Sequence, residues 1–345
     1  MILSLLFWSA VAIIATGILW KGSDWLEHSS EGLSTYYELP DIVQGALVVA
    51  IGSSFPELAT VVISTILHGE FDLGVAAIVG SAIFNILVIP AAAALVTKDP
   101  LESNRDLVYK EAQFYIISVA VLIITFSFAA IFNPVEATDG KGVILGEMDR
   151  LLALLPLVLY GFYIFIQYQD TMDYVPERDS STINPLKEWG LLIASLAVIL
   201  IGVELLVRSA IEFGNILGTP SFLWGISVVA AGTSIPDAFV SIKKARKGDA
   251  ITSIANVLGS NIFDLLVCIP IGVLIAGTTV INFSVAAPLM GALTLGTLLL
   301  FSFMRTNMIL GRWESAGLLI GYFLFLLWMG LENFNVIDSI PSLPA

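Results

Sequence analysis

The sequence predicts an all-α, polytopic membrane protein: ten transmembrane helices in two inverted-topology repeats of five. Three observations predict this. Of 345 residues, 57% are hydrophobic and only 13% charged, against roughly 25% charged in soluble domains. The apolar residues gather into ten stretches, each near the roughly 20 residues a helix needs to cross a bilayer. Two short motifs each occur twice, about half the chain apart.

Composition removes several function classes. A mean hydropathy of +0.92 leaves too little polar surface for a soluble enzyme or a disordered chain. A net charge of -14 opposes a nucleic-acid partner. A single cysteine, Cys268, excludes a disulfide framework or a thiolate metal site.

The stretches lie near 2–20, 41–67, 73–97, 112–132, 150–168, 188–213, 221–242, 250–276, 281–304 and 314–332. They show no period-two alternation, which favours helices over barrel strands. The first begins Met1-Ile2-Leu3-Ser4, without the basic run of a cleavable signal. It is expected to continue as a long helix past Lys21-Gly22-Ser23-Asp24-Trp25, because Lys and Trp suit a membrane interface. With the N-terminus outside, twelve of the 15 Lys and Arg fall on inward-facing segments; Lys141, Arg150 and Arg208 fall outside. This bias orients the chain with both termini outside; the expected location is the plasma (inner) membrane. The chain reads as one membrane domain, with a first repeat over 1–168, a short cytoplasmic linker over 169–187 and a second repeat over 188–345.

The repeats rest on specific matches. Gly-Ser-Ser-Phe-Pro-Glu at 52–57 matches Gly-Thr-Ser-Ile-Pro-Asp at 232–237. Val-Gly-Ser-Ala-Ile-Phe-Asn-Ile-Leu-Val at 79–88 matches Leu-Gly-Ser-Asn-Ile-Phe-Asp-Leu-Leu-Val at 258–267. Small residues that pack helices closely would account for the Gly and Ser, but not for Pro followed by a carboxylate twice. Five spans per half is an odd number, so the halves enter the membrane with opposite polarity. Loop charge agrees: Leu67-His68-Gly69-Glu70-Phe71-Asp72 has no Lys or Arg, whereas Lys243-Lys244-Ala245-Arg246-Lys247 is the most basic run.

Glu57, Asp237 and Asp264 fall deep in apolar spans, and Asn85 stands where the second half has Asp264. A carboxylate in the bilayer centre costs at least about 2.5 kcal/mol. With no Lys or Arg in those segments, the acids must protonate or share a cation. Calcium takes six to eight oxygen ligands, and hydroxyls are at hand in Ser53, Ser54, Ser81, Thr233, Ser234 and Ser260. Pro56 and Pro236 lack an N–H, which frees the carbonyls of Gly52 and Gly232 and predicts a kink in both helices. Helices two, three, seven and eight should therefore meet at the centre. Ser53, Ser54 and Ser234 have a second reading, hydrogen bonds back to their own helix, and Asn85 a second one as interhelical glue. Glu204 reads as an ion pair with Arg208 near a span end, and His28 and His68 as solvated loop residues. Cys268 reads as a packed apolar residue.

Together these motifs resemble the two alpha-repeats of the cation/calcium exchanger superfamily, most closely its sodium/calcium exchangers. The resemblance covers nearly the whole chain. Calcium/proton exchangers of the superfamily usually carry Gly-Asn-x-x-Glu where this chain has Gly-Ser-Ser-Phe-Pro-Glu. The resemblance implies antiport of Na+ against Ca2+ by alternating access, with calcium extruded at the expense of the sodium gradient. It implies Glu57 and Asp237 as bridging carboxylates, completed by Asn85 and Asp264. Flanking sodium sites would use Ser54, Ser81, Ser234 and Ser260, with Ser53, Thr233 and the carbonyls of Ala50 and Ala230. The long first and sixth helices would slide across the rest. No cofactor, nucleic acid or obligate protein partner is implied; the partners are Ca2+, Na+ and the lipid bilayer.

This sequence departs from the family pattern in places. Asp237 is one methylene shorter than the usual Glu, Ser53 replaces the usual Thr, and Ala77 and Ala82 stand where the second half has Asn256 and Asn261. The combination around Asp237 and Asp264 is similar to the potassium-dependent branch, which leaves K+ co-transport open. The alternative is a Ca2+/H+ antiporter on the same fold. An intramembrane aspartyl protease would need a Gly-x-Gly-Asp signature, which is missing.

Overall fold

The computed structural model describes residues 1–37, 50–97, 100–104, 109, 111–136, 143–169, 183–333, 336–337 and 340. Ten apolar helices run through them. They are α1 (Ile2–Tyr36), α2 (Phe55–His68), α3 (Phe71–Val96), α4 (Ala112–Phe132), α5 (Arg150–Gln169), α6 (Pro185–Leu217), α7 (Ser221–Arg246), α8 (Ala250–Ala276), α9 (Phe283–Arg305) and α10 (Arg312–Asn333). Among the described residues nine are long and apolar enough to cross a membrane; α2 is shorter. The predicted stretch over 41–67 begins outside the described residues, and a helical turn at Ala50–Ser53 leads into α2. Most of the predicted linker and the charges Lys98, Arg105, Lys110, Lys141 and Arg178 also lie outside them.

Local chemistry sets several ends. Asn184 caps α6, its Oδ1 accepting from Lys187 N at 3.4 Å, with Pro185 as first helical residue. Asp249 caps α8 in the same way, accepting from Thr252 N at 3.1 Å. Helix α1 runs unbroken to Tyr36, which confirms the long first helix and corrects the placement of His28: it stands on α1, not in a loop. His68 is corrected as well. It ends α2 with its Nε2 at 2.9 Å from Glu204 Oε2 and only 17% of its side chain exposed.

Burial sorts the helices into a centre and a rim. In α3 and α8, 78% of the apolar window is buried, against 17% in α1 and 22% in α5 and α10. Helices α2, α3, α7 and α8 all touch one another, as the carboxylates and prolines predicted. One close crossing is α3 over α7: a Cβ at Gly80 would stand 2.8 Å from Ala230 Cβ, and one at Gly225 2.7 Å from Leu73 O. Only glycine permits backbones so near. Outside this centre α1 and α6 lie along each other.

Two small antiparallel sheets, absent from the all-α expectation, tie connecting segments together. β1 (Leu101–Glu102) pairs with β5 (Ile309–Leu310), and β3 (Leu145–Met148) lies between β2 (Pro134–Val135) and β4 (Thr279–Asn282). Each joins loops that the ten-span count puts on one membrane face.

The spacing between the matching segments has a structural cause. It is 180 residues at Glu57/Asp237, 179 at Asn85/Asp264 and 180 again at Pro90/Pro270. A π-turn at Ser64–His68 falls in the first interval, in the half that is one residue longer there. Another at Asp264–Cys268 falls in the second, again in the longer half. A π-turn adds one residue to an α-helix without breaking it, so each slip is absorbed where it occurs. The expected kinks differ between halves. The chain breaks at Ser54 just before Pro56, but α7 is continuous through Pro236, and its wide turn lies earlier, at Gly225–Val229. The widened turn supplies irregular backbone that the proline was expected to supply.

Candidate cation site

Four pairs of polar residues sit one helical turn apart: Ser53 and Glu57, Ser81 and Asn85, Thr233 and Asp237, Ser260 and Asp264. That i, i+4 spacing puts each of the last three pairs on one face of its helix, while Ser53 and Glu57 flank the break at Ser54. The four pairs meet. Ser53, Ser54, Glu57, Ser81, Asn85, Thr233, Ser234, Asp237, Ser260 and Asp264 are all buried, none more than 6% exposed.

The contacts cross between the halves. Ser53 Oγ and Ser260 Oγ are 3.1 Å apart, and Ser81 Oγ and Ser234 Oγ 2.5 Å. Within the first half Ser81 Oγ donates to Glu57 Oε1 at 3.3 Å, and across the halves Asn85 Nδ2 donates to Asp237 Oδ2 at 3.4 Å. Thr233 stands beside the Glu57 carboxylate, Ser53 and Ser260 beside that of Asp237, and Ser54 beside that of Asp264. Glu57 lies close enough to Asp264 and Asp237 to feel both charges, and Asp264 to feel Asp237. Two of the three serines with a back-bonding reading instead bridge the halves. Of the site hydroxyls Thr233 back-bonds, donating to Ala230 O at 3.2 Å. Ala50 opens the turn before α2.

The donor set decides what this centre can hold. Glu57 Oε2, Asp237 Oδ1, Asp264 Oδ2, Asn85 Oδ1 and Ser54 Oγ are buried and make no hydrogen bond. Each such group costs about 1–3 kcal/mol when left alone. All five are oxygens, and among the described residues the recorded ion pairs of Lys and Arg lie elsewhere. No three acids close on one point as a ready carboxylate cage among the described residues. The arrangement is a mixed oxygen lining of carboxylate, amide and hydroxyl, the chemistry of hard cations such as Ca2+ and Na+.

Three further residues join the site. Asn261 bonds to Asn85, Ala82 and Tyr115, and Cys268 Sγ lies 3.8 Å from Asp264 Oδ1. Asn261 had a signal, as a polar residue opposite Ala82 in the matching half. Tyr115 had a weaker one, a hydroxyl midway along an apolar stretch. Glu204 pairs with Arg208 at 2.5 Å, as expected, and also with His68.

The sequence model of a family described as "Sodium/calcium exchanger protein" matches residues 7–169 and 187–331. Sodium/calcium exchanger MaX1 of Methanosarcina acetivorans is 26% identical over 355 residues, spanning 92% of this chain and 96% of its own. An uncharacterized membrane protein of Methanocaldococcus jannaschii is 28% identical over 300 residues, spanning 86% and 90%. Among solved structures, the sodium-calcium exchanger NCX_Mj soaked with Na+ and Sr2+ superposes with a TM-score of 0.62. It is 23% identical and covers 94% of this chain and 99% of its own.

Proposed function

Since the chain belongs to the sodium/calcium exchanger family, a family of transporters, we propose that it exchanges Na+ for Ca2+ across the plasma (inner) membrane. One observation carries this reading: a single buried lining drawn from both halves mixes carboxylate, amide and hydroxyl oxygens that lack hydrogen bonds and, among the described residues, has no cationic side chain paired to it. Glu57 and Asp237 bridge the calcium ion. Asp264 and Asn85 complete its shell, and Ser53, Ser54, Ser81, Thr233, Ser234 and Ser260, with the carbonyls of Ala50 and Ala230, hold sodium beside it.

The mechanism is competition for charge. Two sodium ions in neighbouring pockets offer the charge of one calcium, and any further sodium makes the exchange electrogenic. A neutralised site can pass the occluded midpoint, whereas bare carboxylates in a low-dielectric centre cannot do so cheaply. Exchange is favoured over leak for that reason. Residues 1–168 and 188–345 act as inverted repeats around the short linker 169–187, and both termini face outward. The two small sheets support this topology, because each joins loops of one face.

The experiment is Ca2+ flux into proteoliposomes with Na+, K+ and H+ gradients imposed one at a time. A sodium gradient alone should drive uptake. Uptake that needs a proton gradient and collapses with a protonophore would assign the chain to Ca2+/H+ antiport instead. Added K+ tests whether Asp264 carries a third cation, as its motif allows.

A further inference from the structure

We propose that Asn261, held from behind by Tyr115, is a positioning residue that turns the Asn85 amide so that its oxygen faces the transported cation. The proposal rests on the calcium-binding role given above to Asn85. One partner in the network has fixed chemistry. Ala82 O is a backbone carbonyl and can only accept, so the Asn261 atom 3.0 Å from it is Nδ2. The same Nδ2 donates to Tyr115 OH at 3.2 Å. With both protons committed, Asn261 turns Oδ1 toward Asn85, and the Asn85 atom 3.0 Å away must donate. That atom is Nδ2, which also reaches Asp237 Oδ2 at 3.4 Å. Asn85 Oδ1 is what remains: buried, without a hydrogen bond, and free to ligate.

An amide ligates a cation through oxygen and repels it through NH2, and free rotation would populate both. Glu57, Asp237 and Asp264 have an oxygen whichever way they turn. Of these four side chains, Asn85 alone needs an external constraint; its shorter contact, 3.0 Å, is to Asn261 on α8, backed by Tyr115 on α4, and the 3.4 Å contact to Asp237 on α7 is the weaker one. The matching residue in the first half is Ala82, which can supply nothing of the kind to Asp264 and need not, because Asp264 is a carboxylate. Asparagine at 85 with asparagine at 261, and aspartate at 264 with alanine at 82, are thus matched choices.

The test uses purified full-length protein in proteoliposomes, with Ca2+ as the probe. Asn261→Leu should raise the half-saturating Ca2+ concentration about tenfold, equivalent to about 1.4 kcal/mol, while the rate at saturating Ca2+ stays near wild type; the melting temperature should fall by a few degrees, because Ala82 O and Tyr115 OH lose their partner. Tyr115→Phe should move it the same way by about threefold, a weaker loss within one network. In an Asn85→Asp background, where orientation no longer matters, Asn261→Leu should add nothing to the Ca2+-induced thermal shift. An unchanged half-saturation in Asn261→Leu overturns the proposal, as does an equal cost in both backgrounds. So does a lower saturating rate and melting temperature with half-saturation unmoved, which is the signature of a packing role. Should Asn85→Asp bind no Ca2+ at all, the Asn261→Leu result alone decides. Wild-type protein that moves no Ca2+ under a sodium gradient would instead sink the functional reading.

Discussion

Gly22 of α1 lies against Ile199 of α6: a Cβ at Gly22 would stand 2.7 Å from Ile199 Cγ1. The contact recurs with the roles exchanged, since a Cβ at Gly202 of α6 would stand 2.9 Å from Leu19 Cδ2 of α1. Gly202 follows Gly22, and Ile199 follows Leu19, by the same 180 residues that separate Glu57 and Asp237. Residue i touching j while the partner of j touches the partner of i is the mark of a two-fold relation. It supports the inverted repeat, and it makes α1 and α6 a single packed pair.

A packed pair should move together. Cross-linking Leu19→Cys to Gly202→Cys should leave Na+-driven Ca2+ uptake within about twofold of the reduced protein, because α1 and α6 need not slide on each other. Across the other face of α1, Trp20 stacks on Phe239 of α7 with ring centroids 4.7 Å apart. Trp20→Cys with Phe239→Cys should slow uptake by at least about tenfold when oxidised, as expected where a conformational step limits the rate, and recover on reduction. Equal tolerance of both cross-links would rule out sliding of the α1–α6 pair over the centre.

The acids should dominate transport. Glu57→Gln or Asp237→Asn removes half of the proposed bridging pair and leaves its partner buried. Losing one member of a buried charged contact costs about 2–5 kcal/mol, so Ca2+ flux should fall by roughly 30-fold or more. Asp237→Glu, which restores the usual family residue, should retain flux. Sodium-driven uptake at the wild-type rate in Glu57→Gln would remove the bridging role.

How much of the fold and site is legible in the sequence depends on the kind of signal. Glu57, Asp237, Asp264 and Asn85 stand out because a charge or an amide is costly in an apolar stretch and is kept there chiefly for function. The central meeting of α2, α3, α7 and α8 follows from them. The π-turns are not legible, since a one-residue slip in a repeat looks like any gap until the helix is seen to widen there. His68 reads as a solvated loop residue because its partner, Glu204, is 136 residues away. The Asn261–Asn85 bond spans 176 residues, and no local pattern announces such a pair. Trp20 and Phe239 likewise meet only through the tertiary fold.

The close α3–α7 crossing should be intolerant of even a methyl group. A Cβ at Gly80 would meet the Ile226 carbonyl and stand 2.8 Å from Ala230 Cβ, and backbone cannot yield as a side-chain end can. Overpacking of this kind costs about 1–3 kcal/mol, so Gly80→Ala should lower the melting temperature of the purified protein by several degrees. Gly291 of α9 has nothing within 4 Å of its added Cβ, and Gly291→Ala should leave the melting temperature unchanged or raise it. Indistinguishable melting of the two variants would mean the helices separate readily at Gly80.

Sodium and calcium should respond differently to loss of the bridging hydroxyls. Ser81 has one proton, and Glu57 Oε1 at 3.3 Å accepts it. The 2.5 Å contact between Ser81 and Ser234 is then donated by Ser234, which leaves both lone pairs of the Ser234 oxygen for a cation. A neutral oxygen is a larger part of the field around a monovalent ion than around a divalent ion gripped by carboxylates. Ser234→Ala should therefore raise the half-saturating Na+ concentration for Ca2+ efflux by about fivefold, near 1 kcal/mol, and that for Ca2+ by less than about twofold. Both are read from proteoliposomes with one ion varied at a time. Equal shifts for the two ions would place Ser234 in the calcium shell rather than in a sodium pocket beside it.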